Sequence, residues 1–292
     1  MQKIKKFRFK VKADEAGERL DTWLTKKITG FSRNIIVRAI KSNQAWLNNK
    51  LAQPKTLIKA GQMATITINL DSSDIIPEPM ALDIIYQDKH LAVINKPAGI
   101  VMHPAGSHKS GTLANALKAK FDDFYLVHRL DKDTSGVVLI ALDQPMKDYL
   151  SKLFQDRKVK KTYLALVTGK VIPQEAYLNF PIKRGKSGKF ESLLEGRPAK
   201  SHYQVKAYLS GYTLVEVHPE TGRTHQIRVH FKTIRHPVAG DVMYGVALPS
   251  LSRQFLHAYK IEFDDKTGHH HSYTTPLPKE LNDFLQKLKN KT

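Results

Sequence analysis

The 292 residues carry 47 Lys and Arg against 27 Asp and Glu, a formal net charge of +20, with 41% hydrophobic residues and no cysteine. That balance marks a polyanion binder with enough apolar content for one sizeable core and a smaller module. The absence of cysteine excludes a disulfide framework, a thiolate nucleophile and a cysteine-built zinc site, so any nucleophile comes from an oxygen or nitrogen side chain.

Met1 through Lys10 forms a basic arm without the apolar region of a signal peptide, and no stretch long enough to span a bilayer is free of charge. The sequence therefore reads as cytosolic, with no membrane partner. After the arm, Arg19-Leu20-Asp21-Thr22-Trp23-Leu24 opens an apolar pattern at helical spacing, and Ser32 is placed to cap a second helix through Ile35, Ile36, Ala39 and Ile40. Ala45-Trp46-Leu47 and Leu51-Ala52 flank the turn signal Asn48-Asn49-Lys50, and Gly61 precedes the alternating strand Ala64 to Ile68. Asp71 through Pro79 is polar and proline-bearing, as a linker is. The expected organisation is an N-terminal arm and small domain over 1–72, a linker over 73–80, and a larger domain over 81–292.

Past the linker, strand signals recur at Leu82 to Tyr86, Leu91 to Asn95, Val137 to Leu142 and Thr162 to Val167, and in a hairpin of Ser201 to Tyr208 with Tyr212 to Val217. Helical patterns interrupt them at Leu113 to Phe121, Met146 to Gln155, His225 to Thr233 and Glu280 to Lys289. Adjacent hairpins with separated helices predict an α+β fold whose mixed sheet is largely antiparallel, preceded by a small α+β domain.

The most informative stretch is His128-Arg129-Leu130-Asp131-Lys132-Asp133-Thr134-Ser135-Gly136, followed at once by the apolar run Val137 to Ala141. Charges set just before a buried strand are presented by a loop at a sheet edge. Alone, such a string reads as a turn capped by Asp131 or Asp133 with Arg129 paired to it. Here it has company. Lys161-Thr162-Tyr163 opens a later strand, and Gly222-Arg223-Thr224-His225-Gln226-Ile227-Arg228 places Thr224 and Arg228 on one helical face. Asn95-Lys96-Pro97-Ala98-Gly99 with Val101-Met102-His103-Pro104 stands upstream, and Gly240-Asp241-Val242-Met243-Tyr244-Gly245 with Leu256-His257-Ala258 downstream. In this order the motifs resemble the RluA-type RNA pseudouridine synthases, RluD-like members included, over nearly the whole chain after the linker. Residues 17–70 resemble the small RNA-binding module named after ribosomal protein S-four.

The resemblance implies a cofactor-free, metal-free isomerisation of uridine, with Asp131 as the catalytic aspartate, Tyr163 as the active-site tyrosine and Arg228 as the basic residue that contacts the aspartate. The chemistry suits these groups. The bond from base N1 to sugar C1′ breaks, the base turns, and C5 takes the place of N1, which calls for an anionic oxygen acting on sugar or base. A uridine inside folded RNA must first leave its stack, and Arg129 is the residue placed to fill the vacated space. His128 and Thr134 shape the loop. His128, Arg223, His225, Lys183 and Arg184 in the larger domain, with Arg33, Arg38 and Lys41 in the smaller one, complete the expected RNA-binding set.

The rival readings are weaker. His269-His270-His271 lacks the spacing of a helical metal site, and adjacent residues on a strand point to opposite sides. This triplet lies where the family usually carries a His-Pro pair and this chain has Asp264-Asp265-Lys266. Gly185-Lys186-Ser187 has Phe180 where a phosphate loop needs glycine, so Lys183 to Lys189 reads as a flexible basic loop. A non-catalytic RNA-binding or ribosome-assembly factor would have no need of Asp131, Tyr163 and Arg228 together. The expected partner is a structured RNA, large-subunit ribosomal RNA ahead of transfer RNA, bound by a monomer.

Overall fold

The computed structural model describes residues 4–29, 31, 33–69, 75–104 and 110–290, and the chain divides into two compact units, Met1–Asp74 and Ile75–Thr292. Ser32 and residues 70–74, where the expected linker begins, lie outside the described residues.

In the first unit the basic arm is a strand. β1 (Ile4–Lys10) runs antiparallel to β4 (Met63–Asn69), and the hairpin of β2 (Ala45–Leu47) and β3 (Lys50–Leu51) completes a sheet of order β1-β4-β2-β3. The arm's alternation explains the difference: Phe7 and Phe9 pack on the core while Lys6, Arg8 and Lys10 stay exposed. Helices α1 (Leu20–Lys27) and α2 (Arg33–Lys41) contribute Leu20, Trp23, Leu24, Ile36 and Ile40 to a core shared with Ile66 and Ile68. Asp21, buried at the start of α1, accepts from both Arg19 at 3.0 Å and Arg33 at 2.7 Å. Arg33 is thus engaged with a carboxylate, whereas Arg38 and Lys41 are exposed on α2.

The second unit opens with β5 (Asp83–Gln87), β6 (Leu91–Lys96), α3 (Leu113–Lys120), β7 (Tyr125–Leu126), β8 (Ser135–Ala141) and α4 (Gln144–Gln155). It continues through β9 (Lys160–Thr168), β10 (Glu175–Asn179), the hairpin of β11 (Ile182–Arg184) and β12 (Phe190–Ser192), then β13 (Lys200–Leu209) and β14 (Tyr212–Pro219). It closes with α5 (Gln226–Thr233), β15 (Leu256–Asp264), β16 (His270–Thr274) and α6 (Lys279–Lys289). Among the described residues, no helix is long and apolar enough to cross a membrane.

One large sheet follows the order β10-β13-β14-β9-β15-β8-β6-β5, with β16 on β15 and β7 on β8. Its pairings are antiparallel except that of β8 with β15, as the sequence predicts for a largely antiparallel mixed sheet. Every residue of β8 is buried, because helices cover both faces there. Val137 and Leu139 pack with Leu150 and Leu153 of α4, whereas Val138 and Ile140 pack with Leu113 and Leu117 of α3. Ile227 and Phe231 of α5 lie on Ala165 and Val167, and α6 packs Leu281 and Phe284 against Leu166.

Three expectations change. Lys183 to Lys189 belongs to the β11–β12 hairpin, where Lys183 pairs with Glu195 at 3.0 Å and Arg184 donates to the Gly188 carbonyl at 2.9 Å, so it is no loose basic loop. Thr224 lies ahead of α5 and shares no helical face with Arg228. His225 caps that helix with a left-handed backbone, φ 55°, rather than starting it.

The parallel seam is tight. Gly136 sits at φ 122°, and a Cβ built there lies 2.2 Å from the Ala258 carbonyl oxygen. Gly136→Ala is expected to lower the stability of the second unit by about 2–4 kcal/mol, read as a fall in the melting temperature by calorimetry, since backbone cannot yield as a side-chain tip does.

Candidate active site

Asp131 stands in the turn that leads from β7 into β8, and that turn is held by main-chain contacts from below. Thr134 N–H donates to the Asp131 carbonyl at 3.1 Å, and Leu130 is buried beneath. Lys96, at the end of β6 and fully buried, donates from Nζ to the carbonyls of Pro97, Ile100 and Lys132 at 2.7, 2.8 and 3.0 Å. Arg253, buried just before β15, donates to the Asp133 carbonyl at 3.0 Å and to Ser135 Oγ at 3.0 Å, and its ion pair with Glu280 spans 2.8 Å. Gln254 reaches Thr134 Oγ1 at 3.4 Å.

His128 enters the loop as an acceptor. Its Nε2 takes the Leu139 N–H at 2.8 Å, its ring stacks on Phe154, and burial next to Lys161 pushes its pKa down to about 3. A neutral imidazole that accepts from a buried strand shapes the loop and presents no cation to phosphate.

The loop opens into a cleft of about 430 Å3 lined by Arg129, Asp131, Lys161, Tyr163, Arg223, His225 and Arg228, among others. Arg129 is exposed at its edge. Lys161 and Tyr163 lie two residues apart on β9 and so face the same way. Burial alone lowers the Lys161 pKa to about 8. The Tyr163 hydroxyl is pushed well above its ordinary value, by burial first and by Asp131 second, so it remains protonated. Its ring packs where two apolar clusters meet. Arg223 donates to the Pro198 carbonyl at 3.1 Å. Arg33, Arg38 and Lys41 belong to the first unit, and Lys183 and Arg184 lie in the β11–β12 hairpin, outside the lining of this cleft.

Arg228 projects from α5 to Asp131, Nη1 to Oδ2, at 3.5 Å, yet its shorter bonds run elsewhere. Nε and Nη2 donate to both oxygens of Asp241 at 2.6 and 2.8 Å, and the guanidinium lies 5.0 Å above the Tyr244 ring. Asp241 is fully buried and also accepts the N–H groups of Met243 and Tyr244. A two-point pair of this kind fixes the plane of the guanidinium.

The family described as RNA pseudouridylate synthase matches residues 90–233. A Neisseria meningitidis serogroup A protein named ribosomal large subunit pseudouridine synthase D is 36% identical across 94% of this chain and 79% of its own length. The chain belongs to the RNA pseudouridine synthase family. The uncharacterized RNA pseudouridine synthase YlyB of Bacillus subtilis is 34% identical over 94% of this chain and 96% of its own. The solved structure of human RNA pseudouridylate synthase domain containing 4 superposes with a TM-score of 0.59 at 27% identity, covering 71% of this chain and 93% of that one. The protein is thus an isomerase acting on uridine in RNA, as its motifs led one to expect.

Several residues that build the cleft have no role in the sequence reading. Lys96, Asp241 and Tyr244 lie inside motifs quoted for their resemblance, so the signal was present but mute about contacts. Arg253 lies in none of them. Removing the Asp241 carboxylate leaves a buried guanidinium with no two-point partner. Asp241→Ala is expected to cost about 3–5 kcal/mol in chemical denaturation of the second unit. Asp241→Asn, which keeps the shape, is expected to fold and to slow pseudouridine formation with little change in RNA affinity, measured by filter binding beside single-turnover rates.

Proposed function

We propose that this pseudouridine synthase modifies large-subunit ribosomal RNA in the cytosol, acting as a monomer, with Asp131 as its catalytic carboxylate. The observation that carries this reading is the meeting of three groups at one cleft. Asp131 stands at a loop held by Lys96 and Arg253, Arg228 faces one of its oxygens at 3.5 Å, and Tyr163 lines the same wall with its proton retained.

Once a uridine is turned out of its stack into the cleft, the Asp131 carboxylate acts on sugar or base while the N1–C1′ bond breaks. Tyr163 offers its ring to the turning uracil, and C1′ joins C5. The proton on C5 is then lost and N1 gains one, so atoms and charge balance without an electron carrier. Arg129, exposed at the edge, fills the space that the nucleotide leaves and stacks on its neighbours. The remaining cations of the wall, Lys161 and Arg223, take the RNA backbone. The choice of ribosomal over transfer RNA rests on the names of the bacterial relatives and on the basic first unit. That unit, read as an S-four-like module, would offer Arg38, Lys41 and the exposed face of β1 to phosphate.

Asp131→Asn keeps the shape and loses the charged oxygen. It is expected to abolish pseudouridine formation while RNA affinity stays nearly unchanged; substantial turnover by the purified variant would remove Asp131 from its role. Activity is also expected to persist in excess EDTA on RNA folded beforehand, because the proposed chemistry is carried by the Asp131 carboxylate. Loss on chelation and recovery with one specific divalent ion would contradict that. Pseudouridine mapping of ribosomal and transfer RNA from cells with and without the gene identifies the substrate.

A further inference from the structure

His225 sits in the left-handed region at φ 55°, ψ 22°, where a residue with a side chain is held only when its surroundings demand it. Its ring is wedged edge-to-face between Phe190, centroids 5.7 Å apart, and Tyr244, 5.5 Å apart. Tyr244 is 5% exposed, so its hydroxyl needs partners inside the protein. The oxygen accepts the Phe190 N–H at 3.1 Å and stands 2.8 Å from His225 Nδ1.

A phenol has one proton to give. If His225 carried its own proton on Nδ1, the Tyr244 oxygen would receive two donors and its proton would be left buried without an acceptor, the costly outcome. With the proton of Tyr244 directed at Nδ1, every group is satisfied. The hydrogen of a neutral imidazole then resides on Nε2. Nε2 faces Asp131 Oδ1 at 3.9 Å. Burial, the larger effect, favours the neutral ring; Asp131 and Asp241 pull toward protonation, while Arg228 and Arg129 oppose it.

We propose that His225 is a positioning residue for the reaction: a neutral Nε2–H donor for Asp131 Oδ1, its tautomer fixed from behind by Tyr244. This rests on Asp131 as the reacting carboxylate. The two oxygens then have separate donors, His225 for Oδ1 and Arg228 for Oδ2, at 3.9 and 3.5 Å. Both distances are too long for strong hydrogen bonds. They shorten when RNA displaces water from the cleft, as catalytic contacts tighten on substrate binding.

The test starts on the unaltered full-length protein. Nitrogen-15 NMR of labelled histidine, with His225→Ala to assign the signal, is expected to show a protonated Nε2 and an unprotonated, accepting Nδ1. A protonated Nδ1 overturns the proposal whatever the variants do. In single-turnover kinetics at saturating enzyme, His225→Ala is expected to slow pseudouridine formation by about 10- to 100-fold with unchanged RNA affinity. His225→Gln, whose amide N–H reaches about as far, is expected to recover part of that rate. Tyr244→Phe is expected to slow the wild type and to add nothing on the His225→Ala background. A His225→Ala enzyme that binds RNA more weakly but reacts at the normal saturated rate would make His225 an RNA contact only and overturn the assignment. Asp131→Asn measured alongside separates the two failures: an active Asp131→Asn enzyme overturns the reading of Asp131, while the tautomer of His225 is decided by the NMR alone.

Discussion

Two buried cations grip consecutive backbone carbonyls, Lys96 that of residue 132 and Arg253 that of residue 133, and the placement of Asp131 follows from this grip. Burying an ammonium costs several kcal/mol unless each proton finds an acceptor. Lys96 finds three, all main-chain carbonyls, and even so burial draws its pKa down to about 8. An apolar side chain at position 96 would fill the same volume without that cost. What it would not do is tie the end of β6 to the loop before β8. The cation instead fixes geometry, holding the loop one residue after Asp131.

The same economy explains the loose contact between Arg228 and Asp131. Had the guanidinium given its two-point face to Asp131, that carboxylate would be locked in an ion pair. Asp241 takes that face instead, with two further backbone N–H bonds to hold it still. Asp131 thus lies in a positive field from a fixed arginine without being bonded tightly by it. At 3.5 Å the Asp131 contact is the longer of the two that Arg228 makes with carboxylates.

How far the sequence anticipates this differs from place to place. The apolar run after Gly136 and the alternating strands around Ser210-Gly211 declare themselves, since a fully buried strand and a hairpin each impose a residue pattern on the chain. Asp131, Tyr163 and Arg228 are legible from motif order, and the structure brings all three to one cleft. The β11–β12 hairpin escapes notice because its strands are only three residues long and its turn is rich in lysine, so it has no apolar period to read. The capping geometry of His225 is invisible for another reason: the rings packed on it, Phe190 and Tyr244, lie outside its own stretch of chain. Arg253 illustrates the same limit, because a lone arginine ahead of a strand carries no hint of the carbonyl it meets 120 residues away.

The seam between β8 and β15 divides the large sheet into two antiparallel parts joined by only two residue pairs, His257 with Ser135 and Ala258 with Gly136. The part containing β5, β6 and β8 is made of near neighbours in the chain and gathers quickly; the seam brings together residues more than a hundred positions apart, a slow closure. As the protein emerges from the ribosome, the loop bearing Asp131 is synthesised early, yet Arg253 and the strand that completes its floor come near the end. A polypeptide broken off before residue 253 therefore has the loop bearing Asp131 without the arginine that holds the carbonyl of residue 133.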